Sequence, residues 1–240
     1  VQEQICKLPD TLYQLQVMTP LLYQKIVQQG TALGIKAIEG ITAHAPSNQS
    51  LTARLVVNEL LGNSFEIIKD ESGKPIVKDA ALHISLSHSS TLAAAIVSEQ
   101  HQVGIDIETI HPRIERIAHK FLSAQELEAV TTNKVETLLL YWSAKEALYK
   151  LYAKKQLEFT TQLIVQPFEL QQSGIIKGSI IVPDEQEIDF FGNSPNYLPQ
   201  EGDSEGGDIK SNFRISRIFS DLDIHYEFLE GHVMAYVLGR

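Results

Sequence analysis

The chain has 240 residues, 43% of them hydrophobic and 21% charged, with a formal charge of −10. That is enough to build a sizeable core in one large domain or two small ones, and no apolar run reaches the roughly 20 residues that a membrane span needs. A single cysteine, Cys6, excludes an internal disulfide framework and a cysteine-rich zinc site. Residues 181–209 hold eight acids and no Lys or Arg, so the rest of the chain is close to neutral. Without a basic surplus, nucleic acid is not an expected partner. Val1 to Met18 lacks a basic segment followed by an apolar stretch, so no secretory leader is expected, and the reading favours a reducing cytoplasm.

Thr19-Pro20 opens a predicted helix that ends near Gly30, and a second runs from about Ser50 to Gly62 with Leu51, Leu55 and Leu60 on it. The period then changes to two. Strands are predicted at Phe65–Lys69 and Pro75–Val77, joined by a turn at Asp70-Glu-Ser-Gly73. Leu82, Ile84 and Leu86 alternate with His83, Ser85 and Ser87, and Val103, Ile105 and Ile107 alternate with Gly104, Asp106 and Glu108. Between them, Thr91–Ser98 reads as a strand of small apolar residues. Ile114, Ile117, Ala118 and Phe121 share a helical stripe, and Ser123-Ala-Gln-Glu126 is a capping box. Asn133 with Glu136 caps a long helix to about Tyr152. Strands follow at about 162–168, 175–182, 213–219, 223–229 and 232–238, around a loop at 190–211 rich in Gly, Asn, Ser, Pro and acids. The element order predicts an α+β fold of two helix-plus-antiparallel-sheet subdomains, a pseudo-two-fold duplication covering 1–100 and 101–240.

Three groups of residues could carry chemistry. Asp106 and Glu108 leave the same face of one strand, about 6.6 Å apart along it, and two hard oxygen donors so placed suit Mg²⁺. A solvated strand face would look the same in isolation. Gly104 beside them would let a ligand or another backbone come close. Trp142, Glu146 and Lys150 form one stripe of the long helix, with Lys145 adjacent, although Glu146 and Lys150 are also an ordinary i,i+4 ion pair. Ser87-His88-Ser89 ends the alternating strand, where an imidazole and hydroxyls can hold a phosphate oxygen. The chain has no G-x-S-x-G turn, no H-E-x-x-H, no P-loop and no G-x-G-x-x-G.

Together these groups resemble a known pair of motifs. Val103-Gly-Ile-Asp106-Ile-Glu108, followed after residues 109–141 by Trp142-Ser-Ala-Lys145-Glu146-Ala-Leu-Tyr-Lys150, is similar to the motif pair of the 4′-phosphopantetheinyl transferase superfamily. Gly73-Lys74-Pro75 and Ser87-His88-Ser89 resemble the two upstream motifs of its Sfp-type branch, and Arg54 stands where that branch has an arginine that contacts coenzyme A. The sequence departs from the pattern at Ser85, where the family often has asparagine.

The resemblance implies a cytoplasmic monomer of that fold, with coenzyme A bound between its halves. The implied activity is a holo-[acyl-carrier-protein] synthase: 4′-phosphopantetheine passes from coenzyme A to a serine of an apo acyl or peptidyl carrier protein. It also implies residue roles. Asp106, Glu108 and Glu146 would hold Mg²⁺, or Mn²⁺, and Asp106, Glu146 and Lys150 would carry the chemistry, with Glu146 or a metal-bound water as base. Arg54, Lys74, Pro75, Ser87, His88, Lys145 and Lys150 would contact coenzyme A. Because carriers are acidic, a basic helix suits docking, and Arg113, Arg116 and Lys120 with Phe121 or Leu122 as apolar contact are the expected surface. Two alternatives are another metal-dependent phosphoryl-transfer enzyme on the same fold and a catalytically silent carrier-binding module.

Overall fold

In the computed structural model of the chain, the described residues are 14–17, 53–54, 56–58, 60–61, 65–89, 92–154, 157–183, 215–229 and 231–239. The helix expected from Thr19 to Gly30 and the acidic loop at 190–211 lie outside them. Residues 53, 54, 56–58, 60 and 61 are helical, in agreement with the second predicted helix.

The described strands form three antiparallel sheets. A hairpin pairs β2 (Ile67–Lys69) with β3 (Pro75–Val77), and a three-stranded sheet runs β1 (Gln14–Val17), β5 (Ala93–Ser98), β4 (His83–His88). The larger sheet runs β6 (Val103–Thr109), β10 (His232–Leu238), β9 (Ile215–Leu229), β8 (Ser173–Pro183), β7 (Leu163–Val165). Three helices lie between β6 and β7 in the chain: α1 (Ile114–Ile117, continued by a 3₁₀ turn at Ala118–Lys120), α2 (Ala124–Ala129) and α3 (Lys134–Tyr152). This is the mixed α+β architecture that the element order predicts.

The local signals explain most boundaries. The hairpin turn forms because Gly73 takes φ +86° and Asp70 accepts bonds from the Lys74 amide and the Ser72 hydroxyl. The capping box at α2 is complete, with Ser123 Oγ accepting from the Glu126 amide and Glu126 accepting from the Ser123 amide. Asn133 differs from expectation. It precedes α3 in a left-handed conformation and its side chain caps nothing. The two strands expected at 213–219 and 223–229 are one strand, β9. Between the pairs Ile180↔Phe219 and Gly178↔Leu222 it carries one extra residue, absorbed by a bulge with Asp221 at φ +55°.

Helix α3 is buried along most of its length, polar positions such as Thr137, Ser143 and Lys145 included. Leu138, Leu140, Ala144, Ala147 and Leu148 are fully buried, and they pack with Leu163, Ile180, Ile224, Val233 and Val237 from the five-stranded sheet. A second cluster joins Ala53, Val56 and Val57 to Ile84, Ala95 and Val97. A third lies between them, where Ala94 and Ile96 meet Val103, Ile105, Ile107 and Met234. On the opposite face of β6, Gly104 lets α3 come close. A Cβ there would lie 2.0 Å from the Ala147 carbonyl oxygen and 2.8 Å from the Leu151 amide. The backbone that approaches this glycine is therefore the protein's own helix. Neither atom can yield, so Gly104→Ala is expected to cost about 3 kcal/mol or more, read as a lowered urea midpoint.

Candidate active site

The site is built where β4 passes β6. The two strands run in the same direction, but serine side chains bridge them in place of a backbone ladder. Ser85 Oγ accepts from the Ile105 amide at 3.1 Å, and Ser87 Oγ accepts from the Ile107 amide at 3.2 Å. The alternating pattern of β4 predicts a polar face toward solvent; instead Ser85 and Ser87 are buried beneath β6. Ser87 also donates to Asp106 Oδ1 at 2.8 Å. Lys150, in the last turn of α3, points its ammonium at the same spot and donates to Asp106 Oδ1 (2.8 Å), Ser87 Oγ (3.0 Å) and the Ile105 carbonyl (3.0 Å). Asp106 is only 3% exposed, and its second oxygen, Oδ2, is buried with no hydrogen-bond partner among the described residues. An orphaned carboxylate oxygen in such a setting is costly.

Glu108, two residues along β6, and Glu146 on α3 are close enough to feel the charge of Asp106. The Trp142 indole, wedged edge-on against Phe121 and stacked on Phe159, donates to Glu108 Oε1 at 3.1 Å. Burial, then the neighbouring charge of Asp106, with Glu146 adding to it, pushes the Glu108 carboxyl up to about 7 against the pull of Trp142 and Lys150. Glu146 is likewise raised, by burial first and then by Asp106. One ammonium thus serves three carboxylates. Among the described residues, no three His, Cys, Asp or Glu side chains enclose a cation as they lie. The donor chemistry nevertheless fits a divalent ion: one buried, unpartnered oxygen on Asp106 and two carboxyls driven toward protonation by burial and by the charge of Asp106. A magnesium-type ion needs only one or two carboxylates beside water and phosphate.

The raised Glu108 gives a measurable sign. Between the ordinary carboxylate range and about pH 7, the folded protein holds a proton that the unfolded chain has released. Stability of the metal-free protein should therefore fall as pH rises through that window and level off above it. Glu108→Gln should flatten this slope in thermal unfolding measured with a chelator from pH 5 to pH 8, with a difference on the order of 1–3 kcal/mol across it.

Beside the carboxylates opens a cleft of about 370 Å³, lined by Lys69, Lys74, Lys150 and Lys154 and by Ser72, Gly73, Pro75, Ile84, Ser85, Leu86, Tyr149 and Ala153. It joins the β2–β3 turn, β4 and the end of α3. Four ammonium groups around an apolar floor suit a polyanion with a flat or aliphatic portion. Lys74 is oriented by a 2.6 Å bond to Gln102 Oε1. His88 ends β4 at the surface. Partial burial of its ring, then the Lys150 ammonium, hold its proton affinity below the ordinary range. Arg54 is half-buried on its helical segment.

Three expected site residues are placed elsewhere. Lys145 is fully buried on another side of α3, where its ammonium donates to the Phe121 carbonyl (2.7 Å), Glu126 Oε2 (2.6 Å) and the Phe159 carbonyl (2.9 Å). Adjacency to Glu146 in sequence means about 100° of rotation on a helix, so Lys145 cannot reach the cleft. Phe121 and Leu122 are 1% and 4% exposed and belong to the main core, which removes them from any docking surface. Arg113, Arg116 and Lys120 are exposed. Sequence reasoning missed Lys69, Tyr149 and Lys154 at the cleft, and Glu126 as the partner of Lys145.

Comparison with known proteins bears on this arrangement. The family model of the 4′-phosphopantetheinyl transferase superfamily matches residues 102–190. The chain is 36% identical over 109 residues to the 4′-phosphopantetheinyl transferase psf-1 of Bacillus pumilus, covering 42% of this chain and 46% of that protein. It is 34% identical over 91 residues to the 4′-phosphopantetheinyl transferase HetI of a Nostoc species, covering 34% of this chain and 38% of that protein. To the 4′-phosphopantetheinyl transferase AcpT of Salmonella typhimurium it is 28% identical over 141 residues, 54% of this chain and 73% of that protein. The chain thus spans less than half the length of the first two relatives. The stretch that matches this superfamily's model, residues 102–190, is the one that carries Asp106, Glu108, Glu146 and Lys150.

Proposed function

We propose that the chain transfers 4′-phosphopantetheine from coenzyme A to a serine of an apo acyl or peptidyl carrier protein, releasing adenosine 3′,5′-bisphosphate. The observation that carries this reading is the junction of two features. Asp106, whose Oδ2 is buried and unpartnered among the described residues, accepts from Lys150 through Oδ1, and Lys150 also lines the lysine-rich cleft. The names of the relatives support the reaction class. We also read the boundary near residue 100 as the division between two halves, with one apolar cluster on either side and a third that joins them across it.

Coenzyme A is a polyanion with an apolar arm, and the cleft offers lysines over Ile84, Leu86 and Tyr149. In the reaction a serine oxygen bonds to the β-phosphorus while the bond to the bridging oxygen breaks and its electrons leave with the bisphosphate. Lys150 and Lys74 would hold the phosphate oxygens and offset charge as it develops. Glu146, whose affinity for protons is raised, would take the serine proton. Mg²⁺ or Mn²⁺ held by Asp106 Oδ2 with Glu108 and Glu146 would neutralise the pyrophosphate. His88 and Arg54 are assigned to the outer phosphates by hydrogen bonding and charge.

For the carrier we retain the basic helix and replace its apolar contact. Ile117 and Leu127 are 36% and 43% exposed beside Arg113, Arg116 and Lys120, and they take the place of Phe121 and Leu122. Reversing the three charges is expected to raise the apparent Michaelis constant for carrier about tenfold or more while leaving that for coenzyme A unchanged. Equal rises for both, or none, contradict the docking surface. The reaction itself is tested by following adenosine 3′,5′-bisphosphate with and without apo carrier. Release that requires the carrier supports transfer; release without it would show a hydrolase.

A further inference from the structure

Strand β6 is the edge of the five-stranded sheet, yet this edge is not in water. Ile105 and Ile107 are both 0% exposed, so their amides must find partners inside the protein or remain orphaned at a cost of about 1–3 kcal/mol each. Ser85 and Ser87 supply those partners, two residues apart on β4 as the amides are on β6, and Lys150 satisfies the Ile105 carbonyl between them. The two hydroxyls are not equivalent. Ser85 closes the edge and lines the cleft. Ser87 accepts from the Ile107 amide and from Lys150, so its own proton can go only to Asp106 Oδ1. With Lys150 on the same atom, Oδ1 is taken twice by the protein and Oδ2 by none of the described residues.

We infer that Ser87 is a positioning residue: with Lys150 it commits Oδ1 of Asp106 to the protein and presents Oδ2 alone to a divalent cation, while Ser85 holds the strand edge in register beneath it. A motif serine that points to a phosphate-binding role in the sequence thus acts on the carboxylate behind the phosphate site. The inference rests on the transfer reading only in expecting a divalent cation at Asp106. It separates two effects that the sequence merges, because loss of the Ser87 hydroxyl should weaken the cation and leave the polyanion cleft intact. Outer hydrogen bonds of this kind commonly govern metal affinity by 10- to 100-fold.

The test is Mn²⁺ titration of the full, metal-stripped chain without coenzyme A or carrier, followed by the electron paramagnetic resonance of free Mn²⁺. Ser87→Ala is expected to weaken Mn²⁺ binding by about 10- to 100-fold, and Ser87→Thr, which keeps the hydroxyl, should restore it. Coenzyme A affinity of the metal-free Ser87→Ala protein, by calorimetry, should match the parent. Ser85→Ala should lower the unfolding temperature and leave Mn²⁺ affinity unchanged. If Ser87→Ala does not fold, Ser87→Cys keeps the volume with a much weaker donor and reports the same loss. Parent-like Mn²⁺ affinity in the folded Ser87 variant overturns the inference, as does an equal loss of coenzyme A affinity without metal. Folded parent protein that binds no Mn²⁺ would overturn the metal part of the transfer reading as well.

Discussion

Asp106→Asn is expected to lower the transfer rate by about 10²- to 10³-fold or more while the protein stays folded. Asparagine keeps the shape of the side chain, and its carbonyl oxygen can still accept from Ser87 and Lys150 as Oδ1 does. What it removes is the charge and the free oxygen at Oδ2. The same change relieves Glu108 and Glu146, both of which Asp106 drives toward protonation. Stability should therefore hold within about 1 kcal/mol or rise slightly, so activity and folding part company. Single-turnover kinetics beside urea unfolding reads both quantities. Parallel losses would reduce Asp106 to a structural residue.

Lys145→Met is expected to do the opposite, costing about 3–5 kcal/mol of stability without touching the cleft. Lys145 and Glu126 are 0% and 3% exposed at their side chains, and burial lowers the lysine's proton affinity against the support of Glu126. Removing the ammonium strands a buried carboxylate and the carbonyls of Phe121 and Phe159. Glu126 cannot simply move away. Its Oε1 accepts from the Val165 amide and its Oε2 from the Ser123 amide, which ties α2, α3 and β7 together. The double variant Lys145→Met, Glu126→Gln should recover part of the loss, because no uncompensated charge remains. Protein that survives folding at low temperature should bind coenzyme A like the parent. A urea midpoint that is unchanged in Lys145→Met would contradict the role given to this pair.

What could be read from the sequence follows from how each signal is encoded. Period-2 alternation and the capping box are local, so β3, β4, β6 and α2 were legible to within a residue or two. The functional spacing was legible for the same reason: Asp106 and Glu108 share a strand face, and Trp142, Glu146 and Lys150 share a helix stripe. What failed was the assignment of faces that only tertiary packing decides. Ser85 and Ser87 alternate like a solvent-facing edge, but a second strand lies over them. Lys145 reads as one more cation beside the site, yet a buried glutamate 19 residues upstream claims it. That glutamate was visible as a capping residue, and its second role had no local signal. Lys69 and Lys154 reach the cleft only because the β2–β3 turn and the end of α3 meet there. Phe121 illustrates the limit of an amphipathic stripe, which marks a buried face without saying where the exposed apolar residues are.

If the chain moves a phosphopantetheine arm onto a carrier serine, as we propose, the carrier must gain the mass of that arm. The most direct measurement is intact-mass analysis of a panel of apo acyl and peptidyl carrier proteins after incubation with the protein, coenzyme A and Mg²⁺. At least one carrier should gain a single phosphopantetheine mass on its acceptor serine, and no gain should occur with Asp106→Asn or after replacement of that serine by alanine. Folded, metal-loaded protein that leaves every carrier in the panel at its apo mass while binding coenzyme A would contradict the account.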